Sequence, residues 1–477
     1  MRSKSGGLRP WIFLAIILLA AFALSHASRL RAEGGEPRYF AITNARIVPV
    51  SGPVLETGTV VIANGLIQSV GTSVTIPPEA WVIDGKGLTV YPGLIDVGND
   101  LGVPKPEAPA AEARGRGRRR GNAPVPEHIS MGPEDRPSTS PWIVASDDFN
   151  SADKRIESWR EAGFTTALVL PEEAIIAGQG SLIDFNNERV SQMIVRSHAA
   201  LRIGLHPATF GFPDSLMGVI SYLRQVTDDT AWYDVAAPTY AAHPNGIERP
   251  NVDRTEEIMT LILHRKELVL FPANDLVEIP RAMRLAQEWN LHAALYGGQQ
   301  SYELADQIAA KKYQVIVNLK WPEAAKDPDP ENIPSLRELR FRDRAPGSPA
   351  ALAKAGVRFA FSSGGIADPK DIQKNVRRAT AAGLSSDAAL RAFTLDAAEI
   401  LGVADRLGSI EPGKIANLVV ADGDLFAEKT KVKHVFVDGR HFEIHEIEKS
   451  HKPGGADGAK PSDAPEQISN NGGEVGR

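Results

Sequence analysis

Short apolar and β-branched runs open the ordered part of the chain. Between Tyr39 and Val90 the stretches AITNARIVPV, TVVIA, LIQSVG and AWVID alternate with the turn pairs Asn64-Gly65 and Asp84-Gly85, which predicts hairpin-rich strand. From Thr89 to Leu401 the pattern changes. Apolar runs of strand length, TTALVLP, LRIGLH, ELVLFP, LHAALY, YQVIVN and VRFAFSS, are spaced by amphipathic stretches. One such stretch puts Ile279, Ala282, Met283, Ala286 and Trp289 on one helical stripe. Another starts behind Ser385 or Ser386 as cap, carries Ala389, Phe393, Ala397 and Ile400 inward and stops at Gly402. Strand text then returns as IANLVVAD and KVKHVFVDGRHF. Alternation at this length predicts an α/β fold with a parallel barrel or open sheet, and the flanking strand blocks predict one small sandwich built from both ends.

Three segments fall outside that pattern. Arg2, Lys4 and Arg9 precede an apolar run from Trp11 to Leu24 and then Ser25-His26-Ala27-Ser28, the layout of a signal peptide over residues 1–27. The run is shorter than the roughly 20 residues of a spanning helix, so cleavage near Ala27 is favoured over an uncleaved membrane anchor, and the chain reads as exported, periplasmic or extracellular. Residues 103–141 are biased in Pro, Ala, Gly and Arg and read as a flexible insertion. The end of the chain, 447–477, is rich in Gly, Pro, Ser and charge and reads as a disordered tail. The remainder divides into an N-terminal sandwich segment (37–88), the barrel (89–401) and a C-terminal sandwich segment (402–446).

Composition narrows the chemistry. The net charge of −6, with the only dense basic cluster at Arg114, Arg116, Arg118, Arg119 and Arg120 in the insertion, gives no nucleic-acid surface. Eleven His and no Cys exclude disulfides, thiol nucleophiles and thiolate metal sites, leaving a His/Asp/Glu site as the open class.

Two motifs carry a family resemblance. Leu88-Thr89-Val90-Tyr91-Pro92-Gly93-Leu94-Ile95-Asp96 resembles the first barrel strand of the metal-dependent amidohydrolase superfamily, and the run from Leu407 to Val420, LGSIEPGKIANLVV, resembles its return to the small sandwich. The middle, with Ser215 to Ile220, Ala273-Asn274-Asp275-Leu276 and the helix from Ala388 to Gly402, is most similar to the imidazolonepropionase-like group. The resemblance implies a (β/α)8 TIM-like barrel with its site at the C-terminal strand ends. It also implies a zinc-class ion held by a His-x-His pair after the first strand, histidines after the fifth and sixth, and an Asp after the eighth that serves as base. Imidazoles and a carboxylate hold such an ion with one position open, so that its water ionises near neutrality.

At the aligned positions this chain carries other residues. Gly98 and Asp100 stand for the His pair, Phe271 for the fifth-strand ligand, Gly297 for the sixth, and Gly364 for the catalytic Asp. Only Asp100 offers a ligand atom, so no metal and no other cofactor is expected unless a relocated site exists. Asp100, His206 and His243 are the residues from which one could be rebuilt, although they share no motif spacing. The candidate pocket comprises Asp100, His206, Asn274, Asp275 and Ser363, with capping of the following helix at least as good a reading for Asn274 and Asp275. The catalytic residues stay unassigned. Gly178-Gln179-Gly180-Ser181 and Ser362-Ser363 have no His base beside them in sequence. His292 reads as a packed residue, His198 and His264 as helix-like positions ahead of strands, and His434 and His441 as surface residues of the terminal strands.

Two functions follow. In the favoured one the protein is a catalytically degenerate amidohydrolase homologue that binds a small-molecule ligand or partners an active homologous subunit. In the alternative it is an exported hydrolase of cyclic-amide-type carbon–nitrogen bonds with an altered metal site. Neither involves nucleic acid, and a membrane enters only through an uncleaved N-terminal segment.

Overall fold

The protein is described from a computed structural model, which covers residues 38–104, 136–208, 212–324 and 333–444. The proposed signal peptide, the arginine run and the tail lie outside these residues.

The first strands in chain order are β1 (Tyr39–Ile47), β2 (Leu55–Ala63), β3 (Leu66–Gly71), β4 (Trp81–Asp84) and β5 (Thr89–Pro92). Eight more follow: β6 (Leu94–Asn99), β7 (Phe164–Val169), β8 (Ile176–Asp184), β9 (Ile194–Ile203), β10 (Leu268–Ala273), β11 (Ala293–Gly297), β12 (Gln314–Asn318) and β13 (Phe359–Ser362). The last three are β14 (Leu418–Ala421), β15 (Val432–Val437) and β16 (Arg440–Glu443).

The two ends of the chain do share one sheet, in the order β16-β15-β14-β5-β1-β2-β3 with β4 on β1. It wraps over a core of Phe40, Ile42, Ile47, Val60, Ile62, Leu418 and Phe436, and a bridge between Leu66 and Ile415 ties its far edge back to the C-terminal block. The motif expected to be one barrel strand is divided. Thr89–Pro92 pairs with β1 and β14 in the sandwich, and the chain crosses to the barrel at Gly93, so the boundary lies four residues later than the sequence reading at 88/89. There is no room for a side chain at the crossing, since a Cβ at Gly93 would strike Thr165.

Strands β6 to β13 form the barrel sheet in sequential order. It departs from the (β/α)8 pattern at one strand: β8 runs antiparallel to both β7 and β9, while the other neighbours within this sheet pair parallel. The cause is connection length. The link from Val169 to Ile176 is of hairpin length, whereas a parallel return needs a crossover of about a dozen residues. Between β13 and β6 the ring is joined by Ser362 Oγ donating to the Gly98 carbonyl (2.7 Å) and the Ser363 amide donating to Asp96 Oδ1 (2.9 Å).

Alternate residues of each strand face opposite layers. Ile95, Val97, Leu168, Leu182, Leu268, Leu270, Ala294, Ile316 and Ala360 fill the barrel interior, with Ala397, Ala398 and Ile400 packed against them. Val269, Phe271, Leu295, Val315, Val317 and Phe361 face the helices. The Glu278–Glu288 helix buries Ile279, Ala282, Met283 and Ala286, the expected stripe, and Trp289 caps its end. The helix expected to run from Ser385 or Ser386 to Gly402 is two helices, Ser386–Phe393 and Leu395–Ile400, broken at Thr394 (φ −128°, ψ −96°). Ser385 does cap the first, accepting from the Ala388 amide.

Residues 136–141, read as the end of the insertion, are built into the body. Thr139 bridges to Ile176, and Arg136 bonds to Asp229, Asp253 and Glu256 across the Leu216–Ala242 and Arg254–Leu263 helices.

Candidate functional site

A cavity of about 820 Å³ opens at the C-terminal ends of the barrel strands. Asn99 and Asp100 reach it from β6, Glu172 and Glu173 from the β7–β8 link, and Arg202 and His206 from β9. On the other side stand Pro272, Asn274 and Glu278 around β10, Tyr296 of β11, Asn318 of β12 and Gly364 beyond β13. Of the five candidate pocket residues, the structure brings Asp100, His206 and Asn274 to this cavity. The other two face elsewhere. Asp275 caps the next helix, accepting from the Val277 amide (2.7 Å) and the Glu278 amide (2.8 Å). Ser363 is buried and donates to Asp96 behind the strand.

The strand alternation corrects the ligand positions read from the sequence on two strands. Phe271 is fully buried on the helix side, its ring 6.2 Å from Trp289, and the residue facing the mouth is Pro272. On β11 the inward side chain is Tyr296, not Gly297, whose φ of +117° turns the backbone beside Asn274. Neither proline nor tyrosine supplies an imidazole. Gly98 (φ +121°) sits in a bulge of β6, and a Cβ there would lie 2.9 Å from the Tyr296 ring edge and hydroxyl. A Cβ at Gly364 would lie 3.0 Å from the same hydroxyl. One phenol therefore takes the space into which side chains at positions 98 and 364 would project.

The part played by Tyr296 depends on which face of β11 it occupies, which no sequence motif marks. Its hydroxyl pairs with Ser362 Oγ (3.1 Å), which in turn donates to the Gly98 carbonyl. Burial pushes the phenol pKa up, with Arg202 opposing. A neutral phenol is a hydrogen-bonding group, not a base. Arg202 lies 5.6 Å from the Tyr296 ring centre and pairs with Glu173 (3.1 Å), which also stands 3.5 Å from His206. Asp100 is paired with Arg155 (2.8 Å).

Asp96, from the first family motif, is buried. Loss of water raises its pKa, against hydrogen bonds from Ser363, Asn99 and Trp159. It fastens β6 to β13 and does not line the cavity.

A zinc-class ion, as the sequence resemblance implies, does not fit this donor set. The inward positions are Gly98, Pro272, Tyr296 and Gly364, and among the described residues no three His, Cys, Asp or Glu groups stand close enough to hold a metal. The relocated set does not assemble either. Asp100 and His206 share the cavity, but His243 is the exposed C-cap of the Leu216–Ala242 helix.

The serine motifs are structural. Gly178-Gln179-Gly180-Ser181 forms the buried middle of β8, where Ser181 donates to the Ser197 carbonyl (2.7 Å) and accepts from the Ser146 amide (3.0 Å). Nor are the sandwich histidines surface groups. His434 and His441 are half-buried with ring nitrogens 3.0 Å apart, and burial lowers the His441 pKa to about 4. His198 lies in β9, not in a helix.

A family model described as the amidohydrolase family matches residues 274–442, about a third of the chain. No curated protein matches the chain in sequence. Among solved structures, an amidohydrolase from Thermotoga maritima MSB8 is 25% identical with a TM-score of 0.69, over 85% of this chain and 100% of that one. A second amidohydrolase is 19% identical with a TM-score of 0.53, over 86% and 100%. A prolidase complexed with N-methylphosphonate-L-proline is 18% identical with a TM-score of 0.51, over 85% and 100%.

Proposed function

Because the chain belongs to the amidohydrolase superfamily, we propose that it has kept the barrel and its mouth as a ligand-binding site and has lost metal-dependent hydrolysis. The observation that carries this reading is Tyr296. Its side chain stands within 2.9 Å of any Cβ at position 98, so the phenol and a first-strand histidine exclude one another. Restoring ligands would require removing the wedge as well as adding imidazoles.

What the mouth retains suits binding. A cavity of about 820 Å³ lies in the range of small-molecule sites, roughly 300–1,000 Å³. Leu170, Pro171 and Pro272 give apolar wall, and the Arg202–Glu173 pair gives fixed charge. Asn274 engages its backbone, the amide donating to Glu278 and the carbonyl accepting from the Gln300 amide, and among the described residues its exposed side-chain amide is left to a ligand. In this reading the protein is exported through its N-terminal segment and acts through its ligand or as the partner of an active homologous subunit.

Asp100 and His206 sharing one cavity supports the competing reading, hydrolysis of cyclic-amide-type carbon–nitrogen bonds by an altered site. A ligand screen separates the two. A panel of lactams, imides and N-acyl compounds is offered with and without zinc, while the melting temperature and product formation are followed. Binding predicts a metal-independent rise in melting temperature without turnover. Turnover that disappears in Asp100→Ala or His206→Ala supports the hydrolase and overturns the binding reading.

A further inference from the structure

We propose that the outer face of the Leu216–Ala242 helix, from Ala231 onward, is the contact between two copies of this chain, packed antiparallel about a two-fold axis. The helix is anchored by Val219, Leu223, Val226 and Thr230, and beyond Thr230 no residue of it is buried. Those last residues read AWYDVAAPTYAA, with Asp234 as the single charge, and that carboxylate is held by His264 at 2.8 Å. From Val235 to Ala242 there is no charge at all. Tyr233, Asp234, Ala237 and Tyr240 are half-buried, while Trp232 and Val235 keep 63% and 66% of their surface in water. An uncharged helix end with Pro238 inside it has little intrinsic stability and a reason to be covered.

Shape, area and charge favour a second copy of the chain as the occupant. The exposed stripe Trp232, Val235, Thr239, Ala242 follows helical spacing and tapers from the largest side chain to the smallest. An isologous contact needs a self-complementary surface. Antiparallel pairing centred near Ala237 supplies one, setting Trp232 against Ala242 of the other copy and Val235 against Thr239. The two largest side chains of the stripe, Trp232 and Val235, keep most of their surface in water, and a contact built on one such stripe is smaller than a standard interface of about 800 Å² per copy, which fits a reversible dimer. Asp228 lies one turn ahead of Trp232 on the same stripe, while Asp229 and Asp234 are held by Arg136 and His264, so the stripe offers an acid and no basic residue to an anionic membrane.

Sedimentation of the purified protein from about 1 to about 100 µM tests this, a range spanning reversible association at this area. The expected result is a monomer–dimer equilibrium that Trp232→Asp and Val235→Glu each abolish, with the melting temperature unchanged at the dilute end of the range, where wild type is monomeric. The chain has no cysteine, which makes introduced ones diagnostic. Mixed Trp232→Cys and Ala242→Cys chains should form an inter-chain disulfide on oxidation. Trp232→Cys alone should not, because the two sites would stand about 15 Å apart along the axis. A monomer throughout the range, a dimer indifferent to both substitutions, a Trp232→Cys self-disulfide, or binding of wild type but not Val235→Glu to phosphatidylserine vesicles would each overturn the proposal.

Discussion

Substituting Gly98 by Ala separates two costs that the structure places on one atom. The first is backbone strain: φ is +121°, a region that L residues rarely adopt, and holding Ala there costs about 1–3 kcal/mol. The second is crowding. The new Cβ would lie 2.9 Å from Tyr296 Cε2 and Oη and 3.1 Å from Ser362 Oγ, and forcing a methyl into filled space costs about 1–3 kcal/mol. Gly98→Ala alone should therefore destabilise by about 2–6 kcal/mol. In a Tyr296→Ala background the crowding is relieved and the strain remains, so the two substitutions should couple by about 1–3 kcal/mol toward stability. Urea melts of the four proteins, followed by circular dichroism and tryptophan fluorescence, measure the cycle. Additivity within about 0.5 kcal/mol would mean that Tyr296 does not occupy the space in front of position 98 and does not exclude a first-strand ligand.

Other expectations concern groups away from the mouth. Burial raises the Asp184 carboxyl from 3.8 to about 7, with Thr166 and Asn417 donating to it. The native state thus holds a proton that the unfolded chain has lost, so this group's contribution is full below pH 3.8 and is lost as pH rises through about 7. The span is worth roughly 4 kcal/mol, and Asp184→Asn should flatten the stability profile across that window; an unchanged profile would refute it. For His441, lowered to about 4 from 6.5, the NMR titration midpoint should fall near pH 4, and a midpoint near 6.5 would show that the ring is solvated. Arg136→Ala should cost about 3–5 kcal/mol, because Asp253 and Glu256 are left buried without their cation. Hydrogen exchange should then rise in the Leu216–Ala242 and Arg254–Leu263 helices, and unchanged protection there would count against the clamp.

How much of this was legible in the sequence depended on the kind of signal. Continuous apolar runs such as ELVLFP and YQVIVN announced β10 and β12 because buried strands need nothing else. Strand β8 was missed, since Gly178 and Gly180 break its pattern and glycine is a poor strand former. The structure shows why glycine is there: a Cβ at Gly180 would meet Leu170 at 2.7 Å, so close packing replaced propensity. The substituted first-strand positions were found from motif order alone. Phe271 and Gly297 were misplaced because strand period is two, and an error of one residue turns a mouth position into a helix-facing one. The half-buried pair His434 and His441 could not be read at all, since it depends on the register of β15 against β16, which places His441 opposite Phe436.

The most direct test of the central claim is the metal content of the purified protein, measured by elemental analysis after dialysis against zinc and read beside amide hydrolysis of the same sample. A mouth whose ligand positions are occupied by Tyr296 predicts well under one equivalent of bound metal and no zinc-dependent turnover. One tightly held equivalent, with hydrolysis abolished by Asp100→Ala or His206→Ala, would contradict it.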